Sequence, residues 1–254
     1  MNSLLQILGH KLGQTAASAK NVIDLMSGGD DDSRRVEVRL GQDLEAVTLE
    51  QTPLAPESRL TQFTADIGGW LVNRLANNRL TFVFHVTAEP TPNAFALPGG
   101  PIFISRPLLE LCQGQRDEIA FILAHEMGHI VLRHAVERMV SDTIFSMLLR
   151  QTTGRHAIVA WLGRVGQKAL SRAYSREQEL EADTFAADLL RDCGGEIQAG
   201  AQLFQKLARA PTGGGLTFFG EYFATHPPLP ERLAHLGFQI SDLKSQIAEP
   251  KREV

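Results

Sequence analysis

Two cysteines in 254 residues, Cys112 and Cys193, stand far apart in apolar surroundings. That scarcity excludes a disulfide-built scaffold. Neither has the spacing of a zinc-ligand pair, so both read as free thiols with no oxidising compartment implied. Long apolar runs are also missing. A spanning helix needs about 20 mostly apolar residues. The best stretches, Val140 to Leu149 and Ala157 to Gly163, are short; Asp142 interrupts the first, and Arg150, Arg155 and Arg164 lie at their edges. They read as amphipathic helices covering the domain, and Ile144, Phe145, Met147 and Leu148 offer at most a peripheral membrane contact. Positive charge is not in excess either. Against 29 Asp+Glu there are 25 Lys+Arg, a net charge of −4, which gives no electrostatic reason to expect nucleic acid. The first apolar run is brief, and Lys11 and Lys20 follow it instead of leading it, so no secretory signal is read. The expected location is therefore cytoplasmic.

What is present suits a compact globular protein: 43% hydrophobic and 21% charged residues can bury a sizeable core as one domain. Residues 1–34 read as an amphipathic helix (3–26) followed by an acidic linker, Gly28-Gly29-Asp30-Asp31-Asp32, and 35–254 as the main domain. Within it, strands are expected at Arg35 to Leu40, Leu80 to Val86 and Pro101 to Ser105. Helices are expected at 57–76, 106–113, 116–137, about 139–150, 156–174, 176–192, 196–209 and 230–236. Strands in the first half and helices in the second indicate an α+β fold.

The most informative segment is His125-Glu126-Met127-Gly128-His129. On a helix, positions i and i+4 lie on one face, so both imidazoles can point at one metal ion. Two neutral histidines suit zinc, and Glu126 beside them can take a proton from a metal-activated water. The flanks, Ala120 to Ala124 and Ile130 to Leu132, are apolar, so this helix is buried. Buried histidines and a buried glutamate need a partner, and a metal is the simplest one. A glycine inside this helix costs roughly 1 kcal/mol against alanine, so Gly128 implies close approach of another element.

A third ligand is required. The HExxHxxGxxH pattern would need Gly and His where this chain has Leu132 and Ala135. His134 falls about 140° round the helix from His129 and reads as a supporting or surface residue. Downstream, Glu179 and Asp183 are spaced i, i+4 on a second helix, so one can reach the metal while the other orients a ligand histidine. Glu177 and Glu181 read as a solvated helix face.

Four segments carry a family resemblance: HEMGHxxxxH from His125, SRxxExxAD from Ser175, Asn93-Ala94-Phe95-Ala96-Leu97-Pro98-Gly99-Gly100, and Thr225-His226-Pro227-Pro228 with Arg232 beyond. In order and spacing the chain resembles the HtpX-like gluzincin metallopeptidases from about Leu40 to Leu236. The resemblance implies a zincin-like fold, with a small sheet over the metal helix. It implies one zinc held by His125, His129 and Glu179, with Glu126 as general base and acid and Asp183 supporting a ligand. The membrane-embedded members carry apolar spans that this chain lacks, which makes a prenyl-protein processing enzyme the weaker reading.

The function expected is metalloendopeptidase hydrolysis of protein or peptide substrates, in quality control or processing. The alternative is a non-catalytic, peptide-binding protein that keeps zinc for structure; retention of Glu126 argues against it. Pro98 to Pro101 allow a sharp turn ahead of an edge strand at 101–105, which could accept a substrate as an added strand. Asn93, Ala94, Phe95, Ile102 and Ile104 are then the substrate-binding residues. His226 and Arg232 are the candidate oxyanion donors, with Tyr174 and Tyr222 behind them. His226, between prolines and the glycine-rich loop 212–216, has a second reading, as a gate occupying the metal's open position.

Overall fold

A computed structural model of the chain describes residues 31–75, 80–140, 173–209, 226 and 230–237. The helices expected at 3–26 and within 141–172, with their possible membrane contact, and loop 212–216 lie outside these residues.

The first described helix, α1 (Asp31–Gln51), runs through the segment expected to be a strand at 35–40. Alternation over six residues misled there. Burial falls at Ser33, Glu37, Leu40, Leu44, Val47 and Thr48, the three-to-four spacing of a helix face, which shows only over a longer window. Asp31 and Asp32, assigned to the linker, open this helix instead. The division drawn at residue 34 thus falls inside a helix.

Next, α2 (Arg59–Val72) starts at a capping box in which Ser58 and Thr61 satisfy each other's backbone N–H. A three-stranded sheet follows: β1 (Val83–Thr87), β2 (Ala94–Ala96) and β3 (Pro101–Ser105). Strand β3 is central, parallel to β1 and antiparallel to β2. This corrects the expectation of an edge at 101–105. All five of its residues are buried, and a continuous apolar run marks a strand covered on every side. The outer side of β1 meets the 53–55 segment, through Ala55 N–H to Val86 O and Ala88 N–H to Pro53 O. The open edge among the described residues is β2, which the sequence reading had not marked as a strand.

Helices complete the order: α3 (Arg106–Leu111), α4 (Arg116–Val131), α5 (His134–Val140), α6 (Arg176–Asp192), α7 (Ala199–Arg209) and α8 (230–237). One face of the sheet, with Phe84, Val86, Ala94, Ala96, Ile102 and Ile104, joins the core formed with α2, α4, α6 and α7. On the other face His85, Phe103 and Phe95 stack across the three strands. Glu45 of α1 holds His85 Nε2 at 2.6 Å. The β2–β3 turn needs glycine: Gly99 has φ +82, and a Cβ there would meet Val38 Cα at 2.6 Å.

Helix α4 packs chiefly on α6. A Cβ at Gly128 would lie 3.2 Å from Ala182 Cα and 3.1 Å from Phe185 Cδ1, the close approach inferred from the sequence. The single helix expected at 116–137 is broken. Arg133, at φ +67, turns the chain between α4 and α5. Arg34 and Arg133 meet the buried Glu37 at this break, and Arg34 donates to Val131 O. Burial lifts the Glu37 carboxyl above its usual range despite both guanidiniums. Cys112 and Cys193 are free thiols, and burial pushes Cys112 up to about 12.

Candidate metal centre

Helix α4 turns His125 and His129 to one point, their Nε2 atoms 3.1 Å apart. Helix α6 brings Glu179, whose Oε1 lies 3.3 Å from His129 Nε2 and Oε2 3.7 Å from His125 Nε2. His226 arrives from far along the chain, its Nδ1 3.0 Å from Glu179 Oε1 and 3.4 Å from His125 Nε2. One ligand atom from each of the four lies within 4.8 Å of the others, and all four residues are buried.

The electrostatics suit a cation. Burial holds His129 well below the usual imidazole range, so it is neutral with a lone pair to give. Burial alone would lift Glu179, but His226 and Arg232 outweigh it and hold the carboxyl well below its usual range. His226 goes the other way: burial lowers it, yet Glu179 and Glu126 raise it overall. Glu126 is fully buried, and neither carboxylate oxygen has a hydrogen-bond partner among the described residues. An ionised carboxylate left that way in a dry site is costly. The imidazoles, the Glu179 carboxylate and the Glu126 carboxylate, with His226 Nε2 3.4 Å from its Oε1, form a donor set that fits a divalent metal and its water.

A second ring of contacts holds the candidate ligands. His125 Nδ1 meets Asp183 Oδ1 at 2.9 Å. Arg232, 1% exposed, grips Asp183 twice, pairs with Glu179 Oε2 at 2.8 Å and lies over the Phe204 ring. These contacts put it behind the ligands. His129 Nδ1 meets His134 Nδ1 at 3.0 Å, and His134 Nε2 meets Glu181 Oε2 at 3.0 Å. Glu181 is therefore more than a solvated face, as it had been read, although its side chain is 62% exposed. Tyr174 stacks flat on His129, ring centroids 3.6 Å apart.

Residues 67–238 match peptidase family M48. The chain belongs to that family. It is 33% identical over 160 residues to the mitochondrial metalloendopeptidase OMA1 of Saccharomyces cerevisiae, covering 60% of this chain and 45% of the yeast protein. It is 28% identical over 185 residues to the metalloprotease YcaL of Escherichia coli, covering 71% of this chain and 70% of that one. With the metalloprotease LoiP of Escherichia coli the identity is 30% over 154 residues, covering 59% of each. The chain thus spans less than half the length of the yeast relative. Among the described residues no helix is long and apolar enough to cross a membrane.

In this M48 domain the sequence-predicted residues separate into two groups. His125, Glu126, His129, Glu179, Asp183, His226 and Arg232 gather at one centre. Ala94 joins them through its carbonyl, 3.4 Å from His226 Nε2. Ile102 and Ile104 do not; their side chains lie in the core and their strand is paired on both sides. Phe95 points to the far face of the sheet, against Phe103. Asn93 pairs by its backbone with Ser105. His134, read as a supporting or surface residue, is buried against His129, whereas Glu181 was missed; the break at Arg133 that brings His134 back has no glycine or proline to signal it.

Proposed function

We propose that this M48 domain is a zinc-dependent endopeptidase that cleaves extended protein or peptide segments laid along the open edge of β2. The observation that carries the reading is Glu126, a buried carboxylate without a hydrogen-bond partner, set beside three converging ligand atoms. A protein that kept zinc only for structure would not need it.

His125, His129 and Glu179 would hold the zinc, which would supply Lewis acidity for activating a water near neutral pH. Glu126 accepts the proton from the attacking water and returns it to the departing amine. The edge supplies alignment. Ser105 N–H donates to Asn93 O, and Leu97 N–H donates to Pro101 O. By strand alternation the N–H and C=O of Ala94 and Ala96 then face outward, free to pair with a substrate backbone. Such pairing reads few side chains, which suits quality-control or processing proteolysis.

His226 stands where a substrate would have to go. Its Nδ1 belongs to the ligand cluster, while its Nε2 faces both Glu126 Oε1 and Ala94 O at 3.4 Å. One imidazole thus covers the open metal position, the base and the edge, which supports a gate in preference to an oxyanion donor. Arg232, committed to Asp183 and Glu179, acts as a positioning residue.

The deciding experiment compares wild type with Glu126→Gln by cleavage-site proteomics on a lysate, with metal analysis of both. New termini with wild type alone, at equal zinc content, support the mechanism. Equal termini from both proteins would sink it.

A further inference from the structure

The two ligand histidines of α4 are supported by different means. His125 Nδ1 meets a buried carboxylate directly, Asp183, itself fixed by Arg232. His129 Nδ1 meets another imidazole nitrogen, His134 Nδ1, at 3.0 Å. Two ring nitrogens at that distance hold one proton between them, and which ring carries it decides whether His129 can ligate. If His129 carries it on Nδ1, its Nε2 has a lone pair for a metal. If His134 carries it, the proton of a neutral His129 moves to Nε2, and the ligand is blocked.

Glu181 resolves the choice. Its Oε2 lies 3.0 Å from His134 Nε2, and a carboxylate only accepts. The neutral His134 must therefore carry its single proton on Nε2, which leaves Nδ1 as an acceptor. His129 Nδ1–H donates to it, and His129 Nε2 is left bare toward His125 Nε2 and Glu179 Oε1. The chain of donors runs one way only, from His129 through His134 to Glu181.

We propose that His134 and Glu181 are positioning residues that fix the metal-binding tautomer of His129, with Glu181 on the surface of α6 setting the direction of the relay. The break between α4 and α5 is what makes this possible. An unbroken helix would carry His134 away from His129, whereas Arg133 at φ +67 brings its ring back to the ligand. Glu181 has no room to matter through charge alone, since its side chain is 62% exposed and solvent screens it. Its effect is on proton placement. The inference rests on the metal-centre reading above.

The test uses the full chain and zinc itself, with affinity measured by competition against a chromophoric chelator, and the thermal unfolding of the metal-free proteins as control. His134→Ala removes the acceptor for a buried N–H and should weaken zinc binding about tenfold to a hundredfold, the usual effect of losing such a partner. His134→Gln, whose amide oxygen can accept the same proton, should recover most of that loss. Glu181→Lys is the sharper variant. A lysine donates to His134 Nε2, reverses the relay and puts the proton of His129 on Nε2. It should cost as much affinity as His134→Ala, although it alters only an exposed side chain and leaves metal-free unfolding unchanged. Wild-type affinity in Glu181→Lys overturns the relay, whatever His134→Ala does. If wild type itself binds no zinc, the metal-centre reading fails first, and the two failures are thereby distinguished.

Discussion

Arg232 holds Asp183 by a two-point grip, Nε to Oδ2 at 2.8 Å and Nη2 to Oδ1 at 2.6 Å, with both side chains buried. The same Oδ1 lies 2.9 Å from His125 Nδ1. A residue of α8 thus fixes the orientation of a candidate ligand on α4 through a carboxylate on α6. Only a planar fork makes both contacts at once, and a lysine cannot replace it. Arg232→Lys should weaken zinc binding about tenfold to a hundredfold, as measured by chelator competition. Had Arg232 been the oxyanion donor, zinc affinity would hold and turnover alone would fall; that pattern would return it to catalysis.

The edge assignment makes opposite predictions for two prolines. At Ala96, proline removes an outward N–H that a substrate would use, without breaking the β2–β3 ladder. Cleavage of an extended peptide should fall about tenfold or more, for one lost hydrogen bond to the substrate backbone, with zinc content unchanged. At Ile104, proline removes an N–H in the central strand, so the domain itself should lose stability, seen as a lower melting temperature. Full cleavage by Ala96→Pro would move the substrate off β2.

Much of this was legible in the chain, and the misses share a cause. Helix α6 falls at the expected 176–192 because Ser175 and Gln178 close a capping box at its start, a wholly local signal. The i, i+4 pairs His125/His129 and Glu179/Asp183 needed only helix geometry. Arg35 to Leu40 failed because its six residues alternate like a strand, while the buried Ser33, Glu37, Leu40 and Leu44 reveal helix spacing only over a longer window. The edge was placed on 101–105 because 94–96 had not been read as a strand, although the continuous apolar run of β3 is itself the mark of a covered strand. Likewise, the role of Glu181 depends on a turn at Arg133 forty-eight positions away in the chain, about which its own neighbours say nothing.

Gly128 sets the spacing between the helices that carry the ligands. Alanine there would gain roughly 1 kcal/mol of helix propensity but would place a Cβ 3.2 Å from Ala182 Cα and 3.1 Å from the Phe185 ring. The ring can give by a few tenths of an ångström, whereas the Ala182 backbone cannot move alone. Gly128→Ala should be near neutral in stability. Gly128→Val should cost about 1–3 kcal/mol by overpacking and lower zinc content with it, because α6 is pushed back with Glu179. Melting curves and metal analysis of the two variants check this, and a valine variant with wild-type values would show that the helices are not spaced by this contact.

His226 offers the clearest functional split. Its Nδ1 sits 3.0 Å from Glu179 Oε1, inside the ligand cluster, and its Nε2 faces Glu126 and the outward carbonyl of Ala94. As a fourth ligand it competes with the water that Glu126 must activate, and at Ala94 O it competes with the first hydrogen bond of an incoming strand. A gate at His226 would open by losing both contacts, and a substrate strand pairing with Ala94 would favour that loss. His226→Ala should accordingly raise basal peptidase activity on a short extended peptide, with zinc still bound by His125, His129 and Glu179. Zinc affinity should fall modestly, since one of four donors is gone. An oxyanion donor would behave in the opposite way: turnover would drop by roughly a hundredfold or more and zinc affinity would not change. Measuring both quantities on one variant separates the two roles, and a fall in turnover at constant zinc affinity would rule out the gate.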